Sequence, residues 1–295
     1  MFIGAIEAGG TKMITAIGDE KGQLFDRISI PTTTPEETFE KMISYFKAKE
    51  KEGYKISALG IGSFGPINLD ENSEKYGFIT STPKPGWANV DFVGYFTEKL
   101  SIPIGFDTDV NAAVLGEVTF GAAKEAKSAI YITIGTGIGA GIYYEGRLIH
   151  GMLHPEAGHI MLAKHPNDSF EGVCPYHGNC FEGMASGPSI QKRYGKKAVE
   201  LKDNYCVWEI ESFYIAQAIT NYICMYSPEK IILWGGVMHQ EQLFDMVRKK
   251  VKEMLNGYIA VDILLNTDLS DYIIKPGLGE NPGILGALQL GIDKL

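Results

Sequence analysis

Between residues 2 and 18 the chain reads FIGAIEAGGTKMITAIG: a β-branched and apolar stretch, a glycine–threonine turn, and a second alternating stretch. Residues 129–143, AIYITIGTGIGAGIY, repeat the arrangement. Alternation of this kind predicts a strand on either side of each turn. Strand and helix patterns then alternate. QLFDRISIPT predicts a third strand, and residues 35–51 predict a helix capped by Thr34, with Phe39, Met42, Ile43 and Phe46 at helical spacing. ISALGIGSFG reads as a buried strand ending in glycines. Residues 65–90 read as a loop holding Pro66, Pro83, Pro85 and Trp87, residues 91–100 as a helix, and IPIGFDTD as a strand. VNAAVLGEVTFG follows as a small-residue helix and marks a lobe boundary.

The second half opens with the second hairpin at Ser128. A polar excursion rich in Cys and His covers residues 150–182, and helices are expected near 184–200 and 207–226. KIILWGG predicts a strand, EQLFDMVRKKVKEML an amphipathic helix, and YIIKPG a short closing strand. NPGILGALQLGID predicts a last helix, rich in glycine and alanine, able to pack closely against another backbone and return to the first lobe.

At 295 residues the chain exceeds the size at which one core usually stops growing. Two lobes are therefore expected: 1–115, rejoined by the helix at 282–295, and 116–281. Hydrophobic residues at 45% and charged residues at 21% suit a soluble α/β protein. A net charge of −9 argues against nucleic acid and against an anionic membrane surface as partners. No basic segment precedes the first strand and no apolar run approaches a membrane span, so a cytoplasmic location is expected.

A glycine turn between strands exposes backbone N–H groups that suit phosphate oxygens. Two such turns, one per half, would hold one polyphosphate from both sides. Commoner glycine motifs do not fit. A dinucleotide fingerprint needs strand, G-x-G-x-x-G and then helix. Here Gly135, Gly137, Gly139 and Gly141 alternate with Thr136, Ile138 and Ala140 and run into IYYEG, a strand pattern. The G-K-[ST] ending of a Walker A loop is absent. A tight hairpin with no ligand accounts for either turn alone; their repetition, with a threonine in each, favours a nucleotide clamp.

Of six histidines, His150, His154, His159, His165 and His177 lie within the polar excursion, with Cys174 and Cys180 beside them. CPYHGNC sets Cys174, His177 and Cys180 at even three-residue intervals, and His159 at the end of PEAGH offers a fourth donor. Four S and N donors suit tetrahedral zinc in a closed, structural shell. The competing readings are mere loop composition and a Cys174–Cys180 disulfide, which conflicts with a reducing cytosol. Cys206 and Cys224 lie in apolar helical context and read as core residues.

Together these motifs resemble the ROK family of sugar kinases, within the actin-like ATPase superfamily, and its fructokinase branch most. IEAGGTK, DTDVNAA, ITIGTGIGAGI, PEAGH, the zinc loop, SGPSI and LWGGV carry the resemblance over essentially the whole chain. The C-x-x-H-x-x-C loop is similar to that of fructokinases; ROK glucokinases more typically have C-x-C-G-x-x-G-C. The resemblance implies an α/β fold, the two-lobed actin-like ATPase (ribonuclease H-like) fold with an interdomain cleft. Gly9, Gly10, Thr11 and Lys12 match the family's first phosphate turn, and Gly135, Thr136 and Gly137 the second. Pro188, Gly235 and Gly236 match positions near the nucleotide. Asp109 matches the catalytic aspartate of N-D-x-N, with Thr108 where Asn is common. Glu156 and His159 match E-x-G-H, whose Glu binds sugar hydroxyls and whose His ligates zinc beside the sugar. Glu7 stands where most members carry Asp, so a carboxylate that helps hold Mg²⁺ through water must reach it differently. ATP, Mg²⁺ and structural Zn²⁺ are the implied cofactors, and a homodimer is the implied assembly.

Phosphoryl transfer to a sugar hydroxyl needs alignment, charge neutralisation and a base. The resemblance makes Asp109 that base, acting on the 6-hydroxyl of D-fructose. Position and residue type alone allow it equally to be a helix N-cap, and Asp107 is the fallback base. Asn111, Glu156 and Asp109 can satisfy sugar hydroxyls that would otherwise be buried unpaired, and His159 adds one partner if its free ring nitrogen faces the sugar. GSFGPI and PGWANVDF are expected to contribute, with Trp87 either shaping the pocket or filling the core. Glucose, mannose and N-acetylhexosamines are alternative substrates. Two non-enzymatic readings compete. A sugar-responsive repressor needs an appended helix-turn-helix, for which Phe2, already in the first strand, leaves no room. A silent sugar-binding regulator has no need of Asp109 and both phosphate turns.

Overall fold

The computed structural model describes residues 1–82 and 84–295; Pro83, one of the loop prolines, lies outside the described residues. Strands β1 (Phe2–Ala8), β2 (Lys12–Gly18) and β3 (Leu24–Pro31) form an antiparallel meander. Helix α1 (Pro35–Lys51) begins at the expected cap: Thr34 Oγ1 accepts from the Glu37 N–H at 3.4 Å. It leads to β4 (Ile56–Ser63), which pairs in parallel with β1 and is buried along almost its whole length, as a strand covered on both faces must be. The long loop holds a small hairpin, β5 (Phe78–Ile79) and β6 (Val90–Asp91). Asp91 then caps α2 (Phe92–Leu100), accepting from the Gly94 N–H at 2.7 Å. β7 (Ile104–Thr108) completes a sheet of order β3-β2-β1-β4-β7 and runs straight into α3 (Asp109–Phe120).

The second sheet has the same plan. β8 (Ser128–Ile134), β9 (Ile138–Tyr144) and β10 (Arg147–Leu148) form its antiparallel side. The chain then passes through the Cys/His loop, α4 (Phe181–Ala185), α5 (Gly187–Tyr194) and α6 (Tyr205–Tyr226). β11 (Lys230–Trp234) adds to β8 in parallel. After α7 (Gln242–Leu255) and α8 (Asp262–Asn266), β12 (Ile273–Ile274) closes the order β10-β9-β8-β11-β12. The two similar stretches of sequence are thus the central hairpins of two equivalent sheets. Among the described residues, no helix is long and apolar enough to cross a membrane.

Two expectations need correction. The single helix near 184–200 is broken: Ser186 is extended and caps α5, accepting from the Ser189 N–H at 3.4 Å, and Gly195 ends α5 at φ 70°. Only a short 3₁₀ turn, Ala198–Leu201, follows. Cys206 and Cys224 are exposed, not core. They stand eighteen residues apart on α6, about five full turns, and so share one face. Val207, Trp208, Tyr214, Ile215 and Tyr222 take the buried face.

Helix α9 (Pro282–Ile292) returns the chain to the first sheet and lies across β1, β4 and α3. Its approach is close enough that backbone touches backbone. A Cβ on Gly60 would overlap the Ala287 carbonyl, and one on Gly286 would overlap the Ala112 carbonyl. The buried Glu117 of α3 fixes the segment before α9, accepting from the N–H groups of Gly277 at 2.9 Å and Leu278 at 3.0 Å. Because the obstacle at Gly60 is backbone, Gly60→Ala is expected to destabilise by about 3 kcal/mol or more, the upper end of overpacking. Thermal denaturation checks this; a melting temperature within about a degree of the parent overturns the close-packing account.

Candidate active site

The floor of the site is the β7–α3 junction. Thr108, at φ −68° and ψ 156°, caps α3: its Oγ1 accepts from the Asn111 N–H at 3.1 Å. The capping role that Asp109's position allowed therefore belongs to its neighbour. Asp109 stands in the first turn, accepting from the Val110 N–H at 2.9 Å. Loss of solvent around its carboxyl outweighs that bond and, with the charge of Glu156 adding, pushes its pKa up to about 6.

Asp107 is not free to act as a base. It is buried, and its Oδ1 accepts from the Thr108 N–H and the Asn111 amide, both at 2.7 Å, while Oδ2 lies 2.8 Å from His150 Nε2. Asn111 is likewise drawn into the fold. Its Nδ2 serves Asp107, and its Oδ1 accepts from the Ile142 N–H of β9 at 3.3 Å, fastening α3 to the second sheet. The amide expected to meet the sugar is 1% exposed and has both ends engaged.

Each sheet contributes a glycine turn between its paired central strands. In the first, Gly9 donates to the Lys12 carbonyl at 3.1 Å, leaving Gly10 and Thr11 exposed at the tip. In the second, the Gly135 N–H bonds the Gly137 carbonyl at 2.9 Å, and the Gly187 N–H bonds the Gly135 carbonyl at 2.8 Å. That bond brings the start of α5, with the exposed Pro188, against the turn. Gly235, at φ 100°, follows β11 where a side chain would strike the Ile134 backbone, so Gly235 and Gly236 border the same turn. Glu7, on β1, reaches to Gly283 at the start of α9. Its Oε2 is buried without a partner, and burial first, then the Asp109 charge, pushes its pKa up to about 7. Its longer side chain finds room because residue 283 is glycine; a Cβ there would lie 2.6 Å from the Glu7 carboxyl carbon.

Glu156 precedes and His159 ends a short 3₁₀ turn, Ala157–His159, anchored by the Tyr222 hydroxyl, which donates to the Ala157 carbonyl at 2.6 Å. Glu156 is half-exposed and held above the usual carboxylate range, chiefly by desolvation. His159, Cys174, His177 and Cys180 form one cluster, their donor atoms all within 4.8 Å of one another. His159 Nδ1 lies 3.4 Å from Cys180 Sγ and 3.8 Å from Cys174 Sγ, and His177 Nδ1 lies 3.6 Å from Cys174 Sγ. Tetrahedral Zn–S and Zn–N bonds place neighbouring donors about 3.5 Å apart, so the set fits a bound zinc ion. The cysteines are free, not disulfide-bonded.

Trp87 is a core residue. It is fully buried, donates to the Thr33 carbonyl at 2.8 Å and packs edge-on against Phe39 and Phe64. Three site residues escaped sequence reasoning. Glu182, two residues after Cys180, accepts from the Ile138 N–H at 2.9 Å and so flanks the second glycine turn. His150 reaches Asp107, and His154 Nε2 accepts from the Ile67 N–H at 3.2 Å, beneath the GSFGPI loop. The crowding of histidines there was visible, but it read as metal-ligand composition.

Two sheets of one plan, each with a glycine turn in its central hairpin and with a helix packed between them, make up the actin-like ATPase fold. Within that class, residues 3–294 match the ROK family, and the chain belongs to it. It is 52% identical to a putative fructokinase of Bacillus subtilis (strain 168), over 100% of this chain and 96% of the relative. It is 48% identical to a fructokinase of Pediococcus pentosaceus, over 98% of this chain and 97% of the relative. Among solved structures, a ROK hexokinase from Thermus thermophilus superposes with a TM-score of 0.82 at 24% identity, covering 99% of this chain and 98% of that one, a likeness of fold.

Proposed function

We propose that the protein is an ATP-dependent fructokinase that moves the γ-phosphoryl group of ATP to the 6-hydroxyl of D-fructose. The observation that carries the chemistry is Asp109, freed from capping by Thr108 and raised by its surroundings between two glycine turns. The sugar assignment is supported by relatives named fructokinase at 42–52% identity over nearly the whole chain.

In this reading residues 1–115 with 282–295 form one lobe and 116–281 the other. Gly9–Lys12 and Gly135–Gly137 hold the phosphates through backbone N–H groups, and Pro188, Gly235 and Gly236 border the nucleotide. Glu156, with His159 beside it, orients the sugar so that its hydroxyl faces Asp109, which takes the proton as the loose transition state forms. Mg²⁺ bound with the nucleotide would neutralise charge on the β- and γ-phosphates. The orphaned, buried Glu7 oxygen is the group in this cleft fitted to hold its water shell. His159, Cys174, His177 and Cys180 would hold zinc, which would stiffen the segment beside Glu156.

A base must be ionised to accept a proton. With Asp109 at about 6, kcat/KM for the sugar is expected to rise about tenfold per pH unit below that value and level off above it. A profile flat between pH 5 and 8 overturns the assignment. The function itself is tested by coupled ADP release with MgATP against fructose, mannose, glucose and N-acetylglucosamine. Preference for fructose supports the reading, and turnover of another hexose replaces the sugar while keeping the mechanism. Sugar binding with no turnover makes the protein a silent regulator.

A further inference from the structure

The segment between β10 and the 3₁₀ turn sends two histidines toward the first sheet. His154 is buried and held below its usual pKa by desolvation, and its Nε2 accepts the Ile67 N–H. His150 differs. Its Nε2 lies 2.8 Å from Asp107 Oδ2 and 3.3 Å from the Asn111 amide, and 37% of its side chain is exposed. Asp107 Oδ1 is already occupied by two N–H donors, which leaves Oδ2 to accept the Nε2 proton. That bond holds the ring by one nitrogen only. Among the described residues Nδ1 has no hydrogen-bond partner. The ring stands at the β7–α3 junction, two residues from Asp109 through Asp107, on the side where Asn111 was expected to meet the sugar.

We propose that His150 is a further sugar-positioning residue, its Nδ1 bonded to a hydroxyl of the bound sugar while Asp107 fixes the other ring nitrogen. The proposal rests on the kinase reading above. Asn111 has both ends of its amide engaged, so this wall of the site offers the sugar a ring nitrogen in place of an amide. A neutral ring presents a lone pair at Nδ1 and a protonated ring an N–H. A hydroxyl both donates and accepts, so the contact holds in either state. The Asp107–His150 bond joins an element of the first sheet to one that follows the second. The ring is therefore in place only when the lobes stand as they do here.

The two conservative amides separate the two ring nitrogens. In His150→Gln the amide reaches about as far as Nε2 and donates to Asp107, but nothing stands where Nδ1 was; in His150→Asn the amide stands at Nδ1 instead. His150→Gln and His150→Ala are expected to raise the sugar KM about tenfold to a hundredfold, the effect of one lost hydrogen bond to a buried partner. The kcat and the KM for MgATP should change less than about threefold. His150→Asn should recover part of the loss, and the melting temperature of the Gln variant should match the parent. Titration calorimetry with sugar alone should show the same loss of affinity in the Gln variant. All are measured with whichever of the four hexoses the parent enzyme turns over, so an error in the sugar assignment shows in the parent and not here. If the parent turns over none, the kinase reading fails and calorimetry with the hexose it binds decides this proposal; binding of none overturns both. A Gln variant with the parent's sugar KM, or an equal loss for sugar and MgATP with a lowered melting temperature, gives His150 a structural role and overturns the proposal.

Discussion

Asp109→Asn is expected to lower kcat by about 10²–10⁴-fold, the usual contribution of a positioned general base, with sugar and nucleotide still bound. The substitution is clean for reasons the structure supplies. The helix is capped by Thr108, so the helix terminus keeps its bond to the Asn111 N–H when residue 109 changes. An asparagine oxygen can still accept from the Val110 N–H, as Asp109 Oδ1 does at 2.9 Å. Desolvation also opposes the ionised carboxylate, and a neutral amide removes that opposition. Rate should therefore collapse without loss of melting temperature. Thr108→Ala provides the contrast, since losing a cap costs about 1 kcal/mol of stability while leaving the base. Residual kcat within about tenfold of the parent would mean that Asp109 does not take the proton.

The outline of the fold was legible because hydrophobic period is a local property. α1 begins and ends as its pattern and its Thr34 cap predict, and both glycine hairpins pair as strands over their full length. Expectations failed where local pattern was neutral between outcomes. Trp87 suited a pocket or a core equally until the Thr33 carbonyl and the Phe39 ring were found against it. Cys206 and Cys224 lay in apolar context, but only the phase of α6 against its neighbours decides which face is buried, and that is tertiary information.

The site divides in the same way. Asp109, Glu156 and the four Cys/His donors are chemically distinctive and sit in short motifs. The roles of Asp107 and Asn111 depend instead on what faces them from elsewhere in the chain. His150 is 43 residues from Asp107, and Ile142 is 31 from Asn111. No spacing within one segment encodes such pairs. A polar residue next to a motif looks available to substrate until its long-range partners are known. Here those partners convert an expected sugar ligand into a bolt between helix and sheet.

If the four donors hold the proposed zinc, its loss is expected to be felt by the sugar before the nucleotide. The loop from Met161 to Cys180 has little core of its own: Tyr176 is 82% exposed, and Cys174 and Cys180 are among its few buried side chains. Its start is anchored independently, since Asp168 accepts from the Tyr214 hydroxyl at 2.8 Å and pairs with the buried Arg193 at 3.2 Å. Its far half is held by the donor cluster, which ties His159 to Cys180. Those two ligands bracket the site, with Glu156 three residues before one and Glu182 two residues after the other. A structural zinc site contributes of order 10 kcal/mol to the folded state, more than a typical domain's margin. Cys174→Ser removes the sulfur that neighbours both His159 and His177. The variant, or protein stripped by a chelator, should show a fructose KM raised at least about tenfold, or should lose soluble folding altogether. The MgATP KM should rise less, because the hydrogen bond to a phosphate turn comes from Glu182, beyond the loop, through the Ile138 N–H. The check pairs steady-state kinetics with metal content by mass spectrometry. Wild-type sugar kinetics in protein verified free of zinc would mean that the 3₁₀ turn and its Tyr222 anchor suffice to place Glu156, and that the four donors hold nothing the sugar needs.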